Sequence, residues 1–461
     1  HLSKHFKADE IGEMCCLGRC HENSAFHVNG QNYSGKDIEN LAEIKANKNP
    51  SKEKYAVGCL GTPVLTAPYG DIKTYYQIFS EAIKKSPDDL LNELKASGVR
   101  GRGGAGFPMA FKLESCKKEA PGDKYIVCNA DEGDPGAYSD RYILENRPHA
   151  LLMGMMLAAY IAGANWGVVY IRAEYPESVT EIENCIKALH AEKLLGDNIL
   201  NSGFNFNFKV IKAQGAYICG EETALLSSIE GQRPEVRVRP PYPTQKGLFN
   251  KPTVVNNVET LATLPFIIKN GGKAFAAIGT AKSTGTKLIS LDGYFNKPGI
   301  YEVDMGTPLS VVIHDLAGGF KHPVKAMHIG GPLGGLVPVA KINDLSVDFD
   351  TFAKEGFLLG HASIVCIPEN FPLITYIEHL FKFTAHESCG KCFPCRLGST
   401  RGAEMVEKAV NEKYLIDKNL MNDLLETMET GSLCALGGGL PLPIKNAMRY
   451  FENELSPYFK K

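Results

Sequence analysis

Apolar residues recur along this chain with changing periods, and the changes mark its organisation. Between residues 71 and 285, short β-rich runs alternate with helical stretches. Residues 124–128, 166–172 and 206–212 read as strands, and residues 148–162 and 175–191 as helices. This alternation is the mark of a parallel α/β layer. The run 150–171 is almost wholly apolar and long enough to span a bilayer by length alone. It has no flanking Lys or Arg anchors, however, and Gly163-Ala164-Asn165 interrupts it as a turn, so it reads as a buried helix followed by a buried strand.

Three other patterns flank that layer. Residues 1–70 hold a small cysteine-bearing unit with a hairpin turn at Val28-Asn29-Gly30-Gln31 and a helix over 35–46. Residues 286–367 shift to short β runs punctuated by glycine, as in His328-Ile329-Gly330-Gly331, and suggest a small α+β unit. From 368 to 461 the helical period returns, over 373–383, 402–410 and 420–428, and predicts a helical bundle.

Composition narrows the function. With 50 Lys+Arg against 52 Asp+Glu the net charge is −2, so bulk attraction to nucleic acid or to an anionic membrane is not expected. Glycine is over-represented, at 46 of 461 residues, which suits backbone that must approach something bulky such as a phosphate-bearing cofactor. The 13 cysteines lack the regular spacing of a disulfide framework, which favours a reducing compartment, and residues 1–13 lack the basic start and apolar stretch of a signal peptide. A cytoplasmic protein, or one on the cytoplasmic face of a membrane-associated complex, is therefore expected, with no direct membrane insertion.

The most specific motif is Ser388-Cys389-Gly390-Lys391-Cys392-Phe393-Pro394-Cys395, completed by the distant Cys434. Thiols spaced C-x2-C-x2-C with a remote fourth match the ligand set of a 4Fe-4S cluster. A structural zinc site, or buried cysteines without metal, are the alternatives. Lys391 and Arg396 stand beside the thiolates in sequence. Arg100-Gly101-Arg102-Gly103-Gly104-Ala105-Gly106-Phe107-Pro108 contains G-x-G-x-x-G but follows a predicted helix (88–97), not a strand. It therefore reads as a phosphate-cradling glycine loop, with Arg102 or Lys112 adding charge, rather than as a dinucleotide fingerprint. The loop after the 124–128 strand, Asn129-Ala130-Asp131-Glu132-Gly133-Asp134-Pro135-Gly136, lies where open α/β sheets bind ligands. Gly215-Ala216-Tyr217-Ile218-Cys219-Gly220-Glu221-Glu222 puts paired carboxylates at a helix start, a position acids also take for dipole reasons alone. Asn256-Asn257 offers amides to a heterocycle edge.

Together these stretches resemble the flavin-bearing, NADH-oxidising subunit of respiratory complex I and its relatives in NAD-linked hydrogenases and formate dehydrogenases. The resemblance covers roughly residues 70–450. It implies an α/β fold with a Rossmann-like FMN domain (71–285), a small β-grasp domain (286–367) and a C-terminal helical domain (368–461) holding one 4Fe-4S cluster on Cys389, Cys392, Cys395 and Cys434. By motif, FMN would be held by Gly101, Arg102, Gly103, Gly104, Lys112, Asn129, Asp131, Glu132, Tyr217, Gly220, Glu221, Asn256 and Asn257. NAD(H) would meet Phe107, Asp134, Glu222, Arg239 and Tyr242. The family pattern typically has Glu at 134, Lys at 239, Phe at 242 and an aromatic where Ser115 stands. The resemblance makes residues 1–70 a short thioredoxin-like remnant, the alternative being a 2Fe-2S cluster completed by Cys15, Cys59 or another chain. There, Cys16-Leu17-Gly18-Arg19-Cys20 resembles half of the 2Fe-2S site of a thioredoxin-like partner protein, and the first cysteine pair is absent.

The implied activity is that of an NADH dehydrogenase, or diaphorase. Hydride passes between NADH and FMN, and electrons pass singly to the cluster and to iron-sulfur partner subunits, including a 2Fe-2S thioredoxin-like one. No side chain is required as a catalytic acid or base, because the chemistry belongs to the cofactors. The alternative is a non-catalytic electron-transfer scaffold that keeps the cluster and has lost nucleotide turnover.

Overall fold

The computed structural model describes residues 2–47, 55–213 and 215–460. Residues 1 and 48–54 of the predicted N-terminal unit lie outside the described residues. The strands in chain order are β1 (Ala25–Val28), β2 (Gln31–Ser34), β3 (Ala56–Leu60), β4 (Tyr125–Ala130), β5 (Trp166–Arg172), β6 (Gly196–Ile199) and β7 (Phe204–Ala213). They continue with β8 (Thr253–Asn257), β9 (Thr286–Leu291), β10 (Gly299–Asp304), β11 (Val324–Ile329), β12 (Gly335–Pro338) and β13 (Ser363–Pro368).

The alternating region folds as anticipated into an α/β layer. Its sheet has the order β6-β7-β5-β4-β8, with β7, β5, β4 and β8 mutually parallel and β6 added antiparallel at one edge. The long apolar run divides where Gly163 (φ 71) closes the helix Pro148–Ala162 and β5 begins. Proline at the helix start and a left-handed glycine at its end set those limits. Every residue of this helix except Tyr160 is buried, which explains why it is apolar on all sides. Among the described residues no helix is long and apolar enough to cross a membrane. Gly154 lets this helix approach Val258–Ala262, since a Cβ there would fall 1.9 Å from the Leu261 carbonyl oxygen.

The second sheet has the order β12-β11-β13-β9-β10-β3. Its edge strand β3 comes from the first 70 residues and runs parallel to β10. Glu302 on β10 explains the docking of the segment that follows β3. Its carboxylate is buried and accepts the main-chain N–H groups of Val64 (3.0 Å), Leu65 (3.0 Å) and Thr66 (2.8 Å) and the Thr286 hydroxyl (2.7 Å). A fully buried Lys287–Glu259 ion pair ties this sheet to the α/β layer, and Glu259 also accepts the Leu288 N–H (3.0 Å).

The C-terminal bundle consists mainly of the helices Leu373–Glu387, Phe393–Asn411, Lys418–Gly431 and Pro441–Tyr450 around a core that includes Phe381, Val406, Leu425 and Ile444. At the N-terminus β1 and β2 form an antiparallel hairpin whose turn residues Asn29 (φ 53) and Gly30 (φ 80) are both left-handed, as a two-residue turn requires. The helix expected over 35–46 starts as a 3-10 turn, Gly35–Asn40, before becoming α-helical at Leu41–Asn47.

Gly154→Ala should destabilise the chain by about 1–3 kcal/mol, because overpacking against the Leu261 carbonyl outweighs the better helix propensity of alanine. Urea unfolding measures this, and equal or greater stability would mean that the two helices separate freely.

Candidate cofactor site

A cavity of about 320 Å³ opens at the C-terminal ends of β4 and β8, the place where parallel α/β sheets receive ligands. Of the residues anticipated for FMN and NAD(H), it is lined by Gly103, Gly104, Asn129, Asp131, Glu132, Asp134, Tyr217, Gly220, Glu221 and Asn257. The glycine loop lies between the helices Pro87–Ser97 and Met109–Lys118, so it is a helix-to-helix loop and not the turn of a dinucleotide fingerprint. Gly104 has φ 130, and nothing lies within 4 Å of where its Cβ would be, so its backbone faces open space.

The acidic loop is fixed from below. Glu132 is buried, and its carboxylate accepts the N–H groups of Asp140 (2.8 Å) and Arg141 (3.0 Å) and the Tyr175 hydroxyl (3.0 Å). It thereby answers otherwise orphaned donors at the start of the helix Ser139–Asn146. The Arg172 guanidinium donates to the Glu132 carbonyl, and Tyr217 donates its hydroxyl to Asp134 (2.7 Å). Asn129 donates to the Gly220 carbonyl (2.7 Å), which joins the β4 loop to the Tyr217–Gly220 turn.

His361, which no sequence motif singles out, lines the same cavity. Its Nε2 lies 3.3 Å from Asp140 and 3.9 Å from Glu132. Burial disfavours its charge, but Asp140 and Glu132 outweigh burial and raise it to about 9, so the ring is an imidazolium at neutral pH. Burial, then the Asp140 charge, pushes Glu132 up to about 7. Ligand atoms of these three residues lie within 4.8 Å of one another. Both Glu132 oxygens are already engaged by N–H and O–H donors, so the trio is a hydrogen-bonded charge cluster and not a metal site. The signal that could have identified His361 lies in tertiary structure, since it follows a loop that brings Gly330, Leu358 and Gly360 over the cavity.

The other anticipated residues fall outside the cavity lining. Lys112 donates to Glu222 (2.9 Å) and to the Val255 carbonyl (3.1 Å), and Arg239 donates to Glu222 from the other side (2.8 Å). Burial opposes the Glu222 charge, but the two cations hold its carboxyl below the usual range. Lys112 is therefore grouped with Glu222, Arg239 and Phe107, whose ring centroid is 5.9 Å from its Nζ, and this group adjoins the cavity through Glu221. Glu221 is occupied differently, capping the helix Glu222–Ile229 by accepting the N–H groups of Thr223 (2.8 Å) and Ala224 (2.9 Å). Phe107 packs edge-on against Phe111 at 5.6 Å, and both are exposed, so a second aromatic does flank Phe107, one residue before Lys112. Ser115 instead hydrogen-bonds Thr244 (3.1 Å), next to the exposed Tyr242.

Arg102 is turned inward. Its backbone N–H donates to Thr260 (2.8 Å) and its guanidinium to the Thr284 carbonyl, so its charge is not presented to the cavity. Gly101 and Asn256 also sit behind the lining, and the buried Asn256 amide nitrogen has no protein partner. Unpaired buried donors at Asn256 and at His361 Nδ1, together with the bare Gly103–Gly104 backbone, suit an anionic, acceptor-rich, flat ligand. FMN has that chemistry.

Beyond one wall of the cavity lie the cysteines. Cys434, Ala435 and Leu436 line it directly, and Cys389, Cys392 and Cys395 pack into one cluster with Ile218, Leu436 and Cys434. Cys392 and Cys434 sit at the N-caps of Phe393–Asn411 and Ala435–Gly439. Burial pushes the Cys434 thiol up to about 12, although the Leu436 and Gly437 N–H groups favour its charge. Lys391 turns to Glu235 (3.5 Å) instead of the thiols. The fold thus brings all four cysteines to one place, as a shared metal group requires.

The Nuo51 FMN-binding domain matches residues 94–265, and the NADH-ubiquinone oxidoreductase-F iron-sulfur binding region matches residues 375–458. The NADP-reducing hydrogenase subunit HndC of Solidesulfovibrio fructosivorans is 40% identical over 382 residues, 82% of this chain and 78% of that protein. This chain belongs to the family of NADH-oxidising oxidoreductase subunits that bind FMN and a 4Fe-4S cluster. An NADH-quinone oxidoreductase subunit of Rhizobium meliloti is 39% identical over 82% of this chain and 90% of its own length. Among solved structures, a chain of an NAD+-reducing NiFe hydrogenase in the air-oxidised state superposes with a TM-score of 0.85 at 30% identity, covering 98% of this chain and 78% of that one.

Because Glu132 and His361 both bind protons more tightly folded than unfolded, the stability they confer is complete below their unfolded pKa values and is lost as pH rises. For His361 the window runs from 6.5 to about 9. The melting temperature of flavin-free protein should fall across it, and His361→Gln should flatten that fall. An unchanged slope would remove the imidazolium from the account.

Proposed function

We propose that the chain takes hydride from NADH at a bound FMN and delivers electrons singly to a 4Fe-4S cluster and then to partner subunits. The observation that carries this reading is that Cys434 and the glycine loop line one cavity, so the nucleotide-facing and metal-binding residues share a wall. When bound, the flavin supplies hydride acceptance and one-electron release, and the cluster supplies one-electron acceptance.

The chain's own residues do the placing. Gly103, Gly104 and the His361 imidazolium offer donors toward the flavin phosphate and ring edge, and Asn129 and Asn257 fix the adjoining loops through Gly220 and Asp140. Phe107, Phe111 and Tyr242 offer exposed rings to the nucleotide bases. Glu222 is held between two cations and is the group to accept the ribose hydroxyls, with Lys112 and Arg239 keeping it ionised. Cys389, Cys392, Cys395 and Cys434 hold the cluster, with the Leu436 and Gly437 N–H groups beside the Cys434 sulfur.

Relatives named as subunits of a quinone oxidoreductase and of hydrogenases support a place in a multi-subunit redox assembly of the complex I or NAD-linked hydrogenase type, and the formate dehydrogenase type rests on the motif resemblance alone. A thioredoxin-like 2Fe-2S protein as partner, and a location on the cytoplasmic side, complete the proposal. The scaffold alternative draws no support from these relatives. NADH-dependent bleaching of bound flavin tests the choice directly, and a flavin that stays oxidised under excess NADH would favour the scaffold.

Glu222→Gln should lower the NADH:NADPH ratio of kcat/KM by about tenfold, equivalent to ~1.4 kcal/mol, because it removes the carboxylate that repels a 2′-phosphate and leaves Lys112 and Arg239 to attract one. An unchanged ratio would place selectivity elsewhere. Cys434→Ser should leave flavin reduction by NADH largely intact while slowing transfer to a one-electron acceptor. Iron content and low-temperature EPR of the reduced chain check the assignment, and zinc in place of iron would overturn it.

A further inference from the structure

The lining of the cofactor cavity divides into two groups of different chemistry. Ile218, Leu333 and Leu436 pack with the four cysteines and make one side apolar. The other side is polar and contiguous. A Cβ on Gly103 would sit 2.8 Å from the Asn257 Cβ, the Asn257 amide donates to Asp140 (2.6 Å), and Asp140 lies 3.3 Å from the His361 Nε2. Close backbone packing seats the loop that carries His361, since a Cβ on Gly360 would fall 2.4 Å from the Gly330 carbonyl oxygen.

His361 is the only Lys, Arg or His among the described residues that line the cavity. The two cations that the glycine-loop motif offered to a phosphate are engaged elsewhere, Arg102 by the Thr284 carbonyl and Lys112 by Glu222. The His361 ring is buried, and its Nδ1 has no hydrogen-bond partner.

We propose that His361 is the side-chain cation for the phosphate of FMN, so that this residue makes the cavity prefer FMN to riboflavin and makes FMN binding weaken with rising pH. The inference rests on the flavin reading above and deepens it. A flat ring that passes electrons to the cluster belongs on the apolar side, beside Cys434, and its ribityl chain then carries the phosphate toward the polar side. There the bare Gly103 and Gly104 backbone and the His361 imidazolium complement a dianion.

The charged groups that face His361 come from three elements. Burial opposes its charge, as does Lys287 on β9, which is itself paired with Glu259; Asp140 on the helix Ser139–Asn146 and Glu132 and Asp134 on the acidic loop favour it. The carboxylates prevail and raise the ring to about 9. Burial raises Asp131, Glu132 and Asp134 in turn, which lessens the negative charge that a phosphate meets. A phosphomonoester completes its second ionisation near pH ~6, so above about pH 8 the change in its binding reports His361. The sign is fixed: loss of the imidazolium proton removes an attraction, and FMN affinity falls as pH rises through that value.

The test uses the full chain with its cluster, depleted of flavin by ultrafiltration and titrated with FMN or with riboflavin, which lacks the phosphate, while flavin fluorescence is followed. At neutral pH the wild-type chain should bind FMN at least about tenfold more tightly than riboflavin, the worth of one charge-assisted contact. That ratio should fall at least about threefold from about pH 8 to about pH 10, a measurement that needs no substitution. His361→Gln should lower the ratio about tenfold at neutral pH by weakening FMN alone, and should flatten its pH dependence. A merely structural role would weaken both flavins together and leave the ratio unmoved. Equal binding of the two flavins by the wild-type chain, a ratio that does not change with pH, or an unchanged ratio in His361→Gln would each overturn the proposal and leave the flavin reading standing. Failure of both flavins to bind would overturn the two together.

Discussion

A carboxylate buried at the floor of a cavity must be answered by donors, and the answer to Glu132 organises this molecule. Its acceptors are filled by the first N–H groups of the helix Ser139–Asn146 and by Tyr175, while Arg172 takes its carbonyl. That fixes the acidic loop against β5 and against the N-terminal cysteine loop, and positions the neighbouring Asp140 toward His361. An unanswered charge here would cost several kcal/mol. The same network that secures the fold therefore holds the polar floor of the site rigid.

The three layers of the chain meet at this floor. The α/β sheet supplies its strand ends, the mixed sheet supplies His361 and the glycines above it, and the bundle supplies Cys434. Buried charges bind the first two together, through Lys287–Glu259 and through the Glu302 carboxylate that gathers the segment after β3. Because each joint is a satisfied charge and not an apolar face alone, it specifies one geometry. A site shared by separate units needs that, since a shift of an ångström between them would separate the flavin region from the cluster.

The grouping of charges around Glu222 refines how the nucleotide region works. Lys112 and Arg239 share one carboxylate, so removing Glu222 leaves two cations facing each other in a half-buried place, whereas removing either cation leaves Glu222 with one partner. Glu221, adjacent in sequence and identical in chemistry, is spent on capping its helix. Two neighbouring glutamates thus take different partners, one capping its helix and the other held between two cations, because one precedes the first helical turn and the other begins it.

Much of this was legible in the sequence because its signals are local. The division of the apolar run at Gly163, the hairpin at Asn29-Gly30, the helix before the glycine loop and the C-x2-C-x2-C spacing are each fixed by neighbours a few residues apart, and the structure places each as its local chemistry requires. The family motifs added the expected cofactors and most of the cavity lining. What sequence could not supply depends on side-chain direction and on contacts between distant segments. The inward turn of Arg102 is decided by Thr284, 182 residues away. Lys112 is drawn to Glu222, 110 residues away, and His361 gains its charge from Asp140, 221 residues away. β3 joined the second sheet because β10 offered it an edge. Spacing along a chain reports which residues can share a turn or a face, but a buried charge chooses its partner in three dimensions, and only the folded packing decides which partner is there.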